Sequence, residues 1–245
     1  MNLHRLVAVA ALIALPSCRS SHLSSASISP HSQPRLLGSG EPLTYLVLGD
    51  STAVAEGGDY EQGLAVESAR HLADRHQVTL VNLGISGATA HDVLTIEIPR
   101  ARSLKPDVVL VDVGSNDVTH LTSARSVQRD LGSIVTSVLA LNCEARVVIT
   151  GAADMGSPPR IPFLLRGIAA GWSRHLNVVF KRTTAERQLT FAPIAEKTGP
   201  QFRRDRTLFS EDRFHPNDRG YALWTSVVNT ALDEALASQP AHCPK

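Results

Sequence analysis

The sequence predicts an α/β fold, a three-layer α/β/α sandwich built on a five-stranded parallel sheet. Short apolar runs alternate along the chain with longer segments whose apolar residues recur at helical spacing. The first run, Tyr45-Leu46-Val47-Leu48, is continuously apolar, which is typical of a parallel strand covered on both faces. Alternating strands and helices are joined by right-handed crossovers, and no internal repeat divides the chain, so we expect one such domain.

Each predicted element follows from a local pattern. We predict strands at 45–48, 78–83, 107–113, 145–150 and 189–193. Helices are expected at about 60–75, at 89–104 with a break near Pro99, after Ser123, across 164–179, and after Asn217. Ser123 and Asn217 are of the residue types that cap helix N-termini. The segment from the last strand to residue 216 is expected to be a loop that carries the basic residues Arg203, Arg204 and Arg206. Because Asp205, Glu211 and Asp212 are close to this cluster in the sequence, a solvated loop is favoured over an anion site.

The composition limits the class of partner. The chain has 245 residues, of which 43% are apolar and 19% charged, and its formal net charge is +1. These values are ordinary for a globular protein with one sizeable core. Because no large electrostatic field favours nucleic acid, we expect no nucleic-acid partner. The sequence contains no HExxH motif, no paired CxxC motif and no Walker loop, so we expect neither a metal nor a cofactor.

The N-terminus has the pattern of a signal peptide. Residues 1–5 carry a positive charge, and residues 6–15 form an apolar run too short to span a bilayer. Leu15-Pro16-Ser17-Cys18 resembles the lipobox of bacterial lipoproteins, although Pro16 departs from the usual small residue. We therefore expect export, with residues 1–17 removed. Two outcomes stay open: lipidation of Cys18, which would attach the protein to the cell envelope, or ordinary cleavage and secretion.

The mature chain is expected to consist of a tether and a folded domain. Residues 18–42 are rich in Ser, Pro and Gly and are predicted as the tether, and residues 43–245 as the domain. If Cys18 is lipidated, Cys143 and Cys243 remain as one potential pair in an oxidising compartment. The alternatives are a disulfide that pins the tail or two unrelated buried thiols.

Polar, glycine-containing turns follow the first three predicted strands: Gly49-Asp50-Ser51, the turn at Gly84, and Gly114-Ser115-Asn116-Asp117. The carboxyl ends of parallel strands share one edge of a sheet, so these turns should lie together. The last helix must run back from the same edge, so the preceding segment, 212–215, should start there as well. We therefore expect one rim to gather Ser51, Gly84, Asn116, Asp212 and His215.

These blocks resemble the four signature blocks of the SGNH hydrolases, the GDSL-type esterases and lipases. They span residues 49–215 in the order found in that family. Thr52 departs from the leucine of many members, at a position that varies with subfamily. The resemblance implies the flavodoxin-like fold of the family and hydrolysis of esters or thioesters. Export favours ester substrates such as acylglycerols, lysophospholipids or acetylated glycans.

The resemblance also implies a role for each residue. Ser51 would be the nucleophile, His215 the general base that takes its proton, and Asp212 the acid that orients the imidazole. The Ser51 N–H, the Gly84 N–H and the Asn116 side-chain amide would form the oxyanion hole.

Structural alternatives stay open for several of these residues. Asn116 could shape a turn only, His215 could lie on the surface, and Asp212 could be an ion-pair partner of Arg213 or Arg219. The loop 156–165 could be an acyl-binding flap or ordinary packing before a helix. The functional alternative is a non-catalytic surface protein of the same fold that binds glycan or lipid.

Overall fold

The structure is a computed structural model that describes residues 29–238 and Cys243. The predicted signal peptide, 1–17, and the predicted lipidation site, Cys18, lie outside the described residues. Along 29–238, no helix combines the length and the apolar character needed to cross a bilayer. Within the same part of the chain, His, Cys, Asp and Glu side chains form no group of three or more that could hold a metal ion.

The centre of the fold is a six-stranded sheet with the spatial order β1-β3-β2-β4-β5-β6. The strands in chain order are β1 (Arg35–Leu37), β2 (Glu41–Gly49), β3 (His76–Asn82), β4 (Val108–Asp112), β5 (Arg146–Ile149) and β6 (Thr190–Phe191). Strands β2 to β6 are parallel to one another, as the sequence predicts.

The prediction of a five-stranded, wholly parallel sheet was wrong in one respect. Strand β1 lies inside the segment predicted as a tether, 18–42, and pairs antiparallel with β3. Only three residues are involved, and Ser, Pro and Gly surround them, so no apolar periodicity marks the strand. Such a short strand is typical of a sheet edge, where it limits pairing with other chains. The sheet is therefore mixed.

Seven helices cover the two faces of the sheet in the described part of the chain. They are α1 (Leu64–Ala73), α2 (90–100, with a π-helical stretch at Val93–Glu97), α3 (Ser115–Thr119), α4 (Ala124–Leu141), α5 (Phe163–Glu186), α6 (Ile194–Arg204) and α7 (Asp218–Ala237). Short 3₁₀ helices occur at Tyr60–Gln62 and Arg206–Leu208. The core residues contributed by α1, α6 and α7 belong to one apolar cluster and those of α2 to α5 to the other.

Strand β2 shows how the sequence builds both clusters. Its successive side chains point to opposite faces, so Tyr45 and Val47 join the α1/α6/α7 cluster while Leu46 and Leu48 join the other. All four are fully buried, which explains the continuous apolar run. The caps were predicted correctly: Ser123 accepts a hydrogen bond from the Ser126 N–H, and Asn217 accepts one from the Gly220 N–H.

Helix α6 was missed, because the segment 194–212 was expected to be a loop. Pro200 lies within the helix, and such a residue normally ends one. The helix nevertheless buries Ile194, Thr198 and Phe202 against the sheet and α7. Tertiary packing therefore outweighs a poor local propensity. Arg203 and Arg204 close this helix rather than lying in a loop.

A disulfide joins Cys143, just before β5, to Cys243 in the tail, with 5.0 Å between the two Cα atoms. It connects the chain after α7 to the sheet edge where β5 begins. The bond closes a loop with a sequence separation of 100 residues.

Removing this disulfide should destabilise the protein. Loop-closure entropy for about 100 residues corresponds to at most about 4.7 kcal/mol, so we expect the double variant Cys143→Ser/Cys243→Ser to lose about 2–4 kcal/mol. Urea unfolding of the oxidised proteins measures the difference in free energy of unfolding. A reductant should lower the stability of the parent protein to that of the variant and leave the variant unchanged. Equal stability of the two oxidised proteins would contradict the prediction.

Candidate active site

The turn after β2 presents Ser51 at the carboxyl edge of the sheet. Gly49 has a φ of +152°, and a Cβ added there would lie 2.1 Å from the Asp112 carbonyl oxygen of β4. Only glycine allows this approach, after which the Asp50 N–H donates to the same carbonyl at 3.0 Å. The chain turns sharply as a result. Ser51 as a whole is 7% exposed, and it lines the cleft described below.

His215 links Ser51 to Asp212. Its Nε2 lies 3.1 Å from Ser51 Oγ, and its Nδ1 lies 2.5 Å from Asp212 Oδ2. Both distances are within hydrogen-bonding range. The structure therefore brings together the three residues predicted as nucleophile, base and orienting acid. In this arrangement an Nδ1–H donates to Asp212, which leaves Nε2 free to accept the Ser51 hydrogen.

Backbone pairing holds the loop that carries His215. Phe209 and Pro216 form an antiparallel bridge, and the Ser210 N–H donates to the His215 carbonyl at 2.9 Å. Arg213, at the tip, has a φ of +61°, which is uncommon for a residue with a side chain. Such strain is frequent at functional sites that the surrounding structure over-determines.

Asp212 is held as a carboxylate. Burial alone would raise its pKa, but donors from Ser210, Phe214 and His215 outweigh burial and lower the pKa to about 2. The Ser210 hydroxyl, the Phe214 N–H and the His215 N–H all donate to Oδ1, at 2.6, 2.8 and 3.0 Å. The other carboxylate oxygen of Asp212, Oδ2, is therefore available to accept the hydrogen bond from the His215 imidazole. This geometry differs from the alternative of an ion pair with Arg213 or Arg219, since Arg219 pairs with Asp205 instead.

Two of the three predicted oxyanion donors have hydrogens that face no protein acceptor. The Ser51 N–H has no acceptor among the described residues. Asn116 lines the cleft beside Ser51, and its Nδ2 donates one hydrogen to the Ala88 carbonyl at 3.1 Å, which leaves the second. The third differs: the Gly84 N–H donates to Asn82 Oδ1 at 3.0 Å. The sequence analysis did not predict a role for Asn82, because an Asn at the end of a strand is typical of a turn.

A shared proton lies behind the nucleophile turn. Thr52 Oγ1 is 2.9 Å from Asp50 Oδ1 and 2.7 Å from Asp112 Oδ2. A hydroxyl has one hydrogen and cannot donate to two carboxylates, so one of the two buried acids carries a proton and donates it to Thr52. Burial, and then the charge of Asp112, raises the pKa of Asp50 to about 8, and burial raises the pKa of Asp112. Thr52, which stands where many SGNH hydrolases have leucine, thus forms hydrogen bonds with both Asp50 and Asp112.

Glu97 is a further buried acid that the sequence analysis missed. Its Oε2 accepts the Gly49 N–H at 2.8 Å, so it fixes the residue at which β2 turns. The side chain is fully buried in α2, and burial raises its pKa well above the ordinary value. Burial therefore favours the neutral form of Glu97, whose contact is with the backbone of the turn. The signal in the sequence is one acid between apolar residues, Ile96 and Ile98.

The Ser51 cleft, as we call the space beside the nucleophile, is narrow. It has a volume of about 30 Å³, which is room for about two water molecules, and so admits only a small group in this conformation. Its walls include Ser115, Asn116, Asp154, Ser157, Pro158, Phe202, Phe214 and His215. From the loop 156–165, Ser157 and Pro158 line the cleft, whereas Phe163 and Leu164 do not and are 81% and 85% exposed. Ile161 and Leu165 of the loop are buried in the core, as ordinary packing before a helix predicts, and the acyl-binding flap stays a prediction.

The shared proton predicts a loss of stability as the pH rises. Between about pH 4, the ordinary pKa of Asp, and about pH 8, native Asp50 keeps a proton that the unfolded chain has released. The native state therefore binds more protons, and its free energy of unfolding falls across this window. In Asp112→Asn, the new amide can donate to Thr52, so Asp50 accepts the Thr52 hydrogen as a carboxylate and its pKa falls.

Urea unfolding at pH 5, 6, 7 and 8 measures this effect. The decline in stability should be smaller in Asp112→Asn than in the parent protein. Glu41→Gln, which removes an exposed carboxyl group at the other end of β2, is the matched control and should keep the parental decline. The same decline in Asp112→Asn and in the parent would show that the two acids do not share a proton.

Comparison with known proteins supports the family resemblance that the turns at residues 49–51, 84, 114–117 and 212–215 indicate. A model of the GDSL-like Lipase/Acylhydrolase family matches residues 47–223. A GDSL-like esterase of Mycobacterium tuberculosis is 30% identical over 209 residues, which is 80% of this chain and 65% of that protein. The esterase TesA of Pseudomonas aeruginosa is 31% identical over 109 residues, 44% of this chain and 53% of that protein. This chain thus spans between about half and two thirds of these curated relatives.

Solved structures share the fold at low identity. A crystal structure of TesA superimposes with a TM-score of 0.65 at 23% identity, covering 78% of this chain and 99% of that one. A catalytic mutant of an acetylxylan esterase from Geobacillus stearothermophilus gives a TM-score of 0.61 at 19% identity, with coverage of 80% and 95%. The resemblance seen in the sequence is confirmed. The family model runs from the end of β2 past His215 into α7, and the chain belongs to the GDSL-like lipase and acylhydrolase family.

Proposed function

We propose that this protein is an exported serine esterase that hydrolyses carboxylic esters through an acyl-enzyme on Ser51. The observation that carries the proposal is the chain of contacts from Ser51 Oγ to His215 Nε2, at 3.1 Å, and from His215 Nδ1 to Asp212 Oδ2, at 2.5 Å. A serine hydroxyl is a weak nucleophile unless a neighbouring base removes its proton. Membership of the family agrees with this chemistry.

The first half of the reaction forms the acyl-enzyme. Ser51 Oγ attacks the ester carbonyl while its proton passes to His215 Nε2, and the resulting imidazolium is stabilised by the Asp212 carboxylate. The tetrahedral intermediate collapses when His215 returns that proton to the leaving alcohol oxygen. In the second half, His215 takes a proton from a water molecule while the water oxygen attacks the acyl carbonyl. The second tetrahedral intermediate collapses by breaking the bond to Ser51 Oγ, which receives the proton from His215, and the carboxylic acid leaves.

The oxyanion of each intermediate needs preorganised donors. The Ser51 N–H and the second hydrogen of the Asn116 amide are the donors that we assign. The Gly84 N–H is engaged by Asn82, so it could contribute only by sharing or breaking that bond. A neutral amide suits this role because it donates hydrogen bonds without a charge that titrates.

Export is part of the proposal and rests on two features. Residues 1–17 have the signal-peptide pattern, and the disulfide between Cys143 and Cys243 suits an oxidising compartment. Lipidation of Cys18 would add attachment to the cell envelope, and cleavage without lipidation would release the protein. Acylglycerols, lysophospholipids and acetylated glycans remain the substrate classes, and the acetylxylan esterase of the same fold is an example of the last.

A fluorophosphonate probe tests the nucleophile. We expect it to label the parent protein on Ser51 and to leave Ser51→Ala unlabelled, because only an activated serine attacks the phosphorus. Ser115→Ala is the matched control, since it removes another serine hydroxyl of the same cleft and should still be labelled. Mass spectrometry of the labelled peptide identifies the site. A folded parent protein that takes up no probe would favour the alternative, a surface protein that binds glycan or lipid without catalysis.

Loss of the Asn116 donor should slow turnover. We expect Asn116→Ala to lower kcat for p-nitrophenyl acetate by about 10²–10³, with a smaller change in KM, because the hydrogen bond forms mainly in the transition state. Asn116→Asp keeps the size of the side chain but removes its donor, and should be at least as slow. Circular dichroism checks that both variants fold. Parental kcat in both folded variants would show that Asn116 only shapes the turn.

A further inference from the structure

We infer that the esters hydrolysed by this protein carry an anionic group, a carboxylate or a phosphate, bound in a basic cleft next to the Ser51 cleft. This inference deepens the proposed function and rests on it. We call the second space the arginine cleft. Its volume is about 360 Å³, and its walls are formed by Gly156, Ser157, Arg166, Gly167, Ala170, Arg174, Arg203 and Arg206.

The arginine cleft adjoins the catalytic residues. Ser157 lines both clefts, and Asp154, a wall of the Ser51 cleft, accepts a hydrogen bond from Arg203 Nε of the arginine cleft at 2.5 Å. The Ser51 cleft holds little more than a small group, whereas the arginine cleft is an order of magnitude larger. Since Ser157 is common to both clefts, we place the anionic part of such an ester on the far side of Ser157, among the arginines.

The positive charge of this cleft is mostly uncompensated. Asp154 is the carboxylate that pairs with it, through Arg203. The guanidinium groups of Arg174 and Arg206 make no hydrogen bond or ion pair within the described part of the chain. Four guanidinium groups line this cleft and one carboxylate pairs with them, so the surplus of three positive charges favours binding of an anion.

The geometry suits an anion with several oxygens. Arg166 donates through Nε to the Ile161 carbonyl and through one terminal nitrogen to the Pro159 carbonyl, both at 3.0 Å, which fixes its remaining donors in place. Guanidinium groups bind carboxylate and phosphate with paired, parallel hydrogen bonds. Gly167, an exposed residue of the cleft lining, leaves open space beside the arginines, because a Cβ added there would meet no atom within 4 Å.

Paired ester substrates test the inference. On the acyl side, mono-p-nitrophenyl adipate and suberate are compared with the neutral p-nitrophenyl hexanoate and octanoate of equal chain length. On the alcohol side, 4-acetoxyphenyl phosphate and 4-acetoxybenzoate are compared with phenyl acetate. We expect at least one anionic ester to exceed its neutral partner in kcat/KM, with the preference decreasing as salt screens the charges. The more favoured alcohol-side anion indicates whether the cleft takes phosphate or carboxylate.

The double variant Arg174→Gln/Arg206→Gln should reduce this anionic preference about tenfold or more. The change should lie mainly in KM, because the cleft binds a part of the substrate that does not react. Arg182→Gln is the matched control and should keep the preference. Arg182 lies on α5, the helix of Arg174, but it is exposed and pairs with Glu186. An undiminished preference in the double variant, or no preference in the parent protein, would overturn the inference. Neither result would affect the proposed esterase, which fails separately if p-nitrophenyl acetate is not hydrolysed and Ser51 is not labelled.

Discussion

The hydrogen bond between Ser51 and His215 joins segments 164 positions apart, and the proposed catalytic geometry depends on it. The proposed nucleophile follows a strand end, whereas the proposed base lies on a loop before the last helix. Gly57 allows that loop to approach the turn after β2, because a Cβ on Gly57 would lie 2.7 Å from His215 Cβ. The Phe209–Pro216 bridge and the cap at Asn217 then fix where the loop ends. In the proposed mechanism, such positioning before substrate binds lowers the entropy cost of the reaction.

The acids around the site divide into two kinds according to their surroundings. Asp212 receives three donors on one oxygen and faces solvent in part, so its negative charge is stabilised. Asp50 and Glu97 lie in the interior behind Ser51, where the neutral form is favoured. The Asp212 carboxylate therefore lies against the imidazole at 2.5 Å and that of Glu56 farther away at 3.9 Å, whereas the acids behind Ser51 have raised pKa values. Environment, and not residue type, therefore decides which acid can stabilise the imidazolium.

Much of the fold could be predicted because its signals are local. The parallel strands are centred on short runs rich in apolar residues, and the caps at Ser123 and Asn217 have side chains suited to that position. The convergence of Ser51, Asn116, Asp212 and His215 followed from strand direction alone. Strand β1 was missed because its three residues show no apolar periodicity. Helix α6 was missed because Pro200 lowers the local helix propensity, whereas the burial of Phe202 that stabilises the helix depends on the rest of the fold.

The details of hydrogen bonding were beyond the sequence because they depend on distances between elements. The Gly84 N–H belongs to a turn that was identified, yet its acceptor, Asn82 Oδ1, depends on a side-chain orientation. Likewise, Thr52 contacts Asp112, 60 positions away, only because β2 and β4 are neighbours in register. The arginine cleft combines residues of α5, α6 and the 3₁₀ helix after α6, and α6 itself was not foreseen.

The direction of strand β1 affects how the molecule would be oriented on a surface. Because β1 runs antiparallel to β3, with Arg35 opposite Leu80 near the carboxyl end of β3, the chain enters the domain at the edge that carries Ser51. His31 stacks on Tyr60 at that same edge, 3.4 Å between ring centres. Any attachment made upstream of residue 29 would therefore join the domain at the edge of the sheet that carries Ser51, and not at the opposite edge where the parallel strands begin.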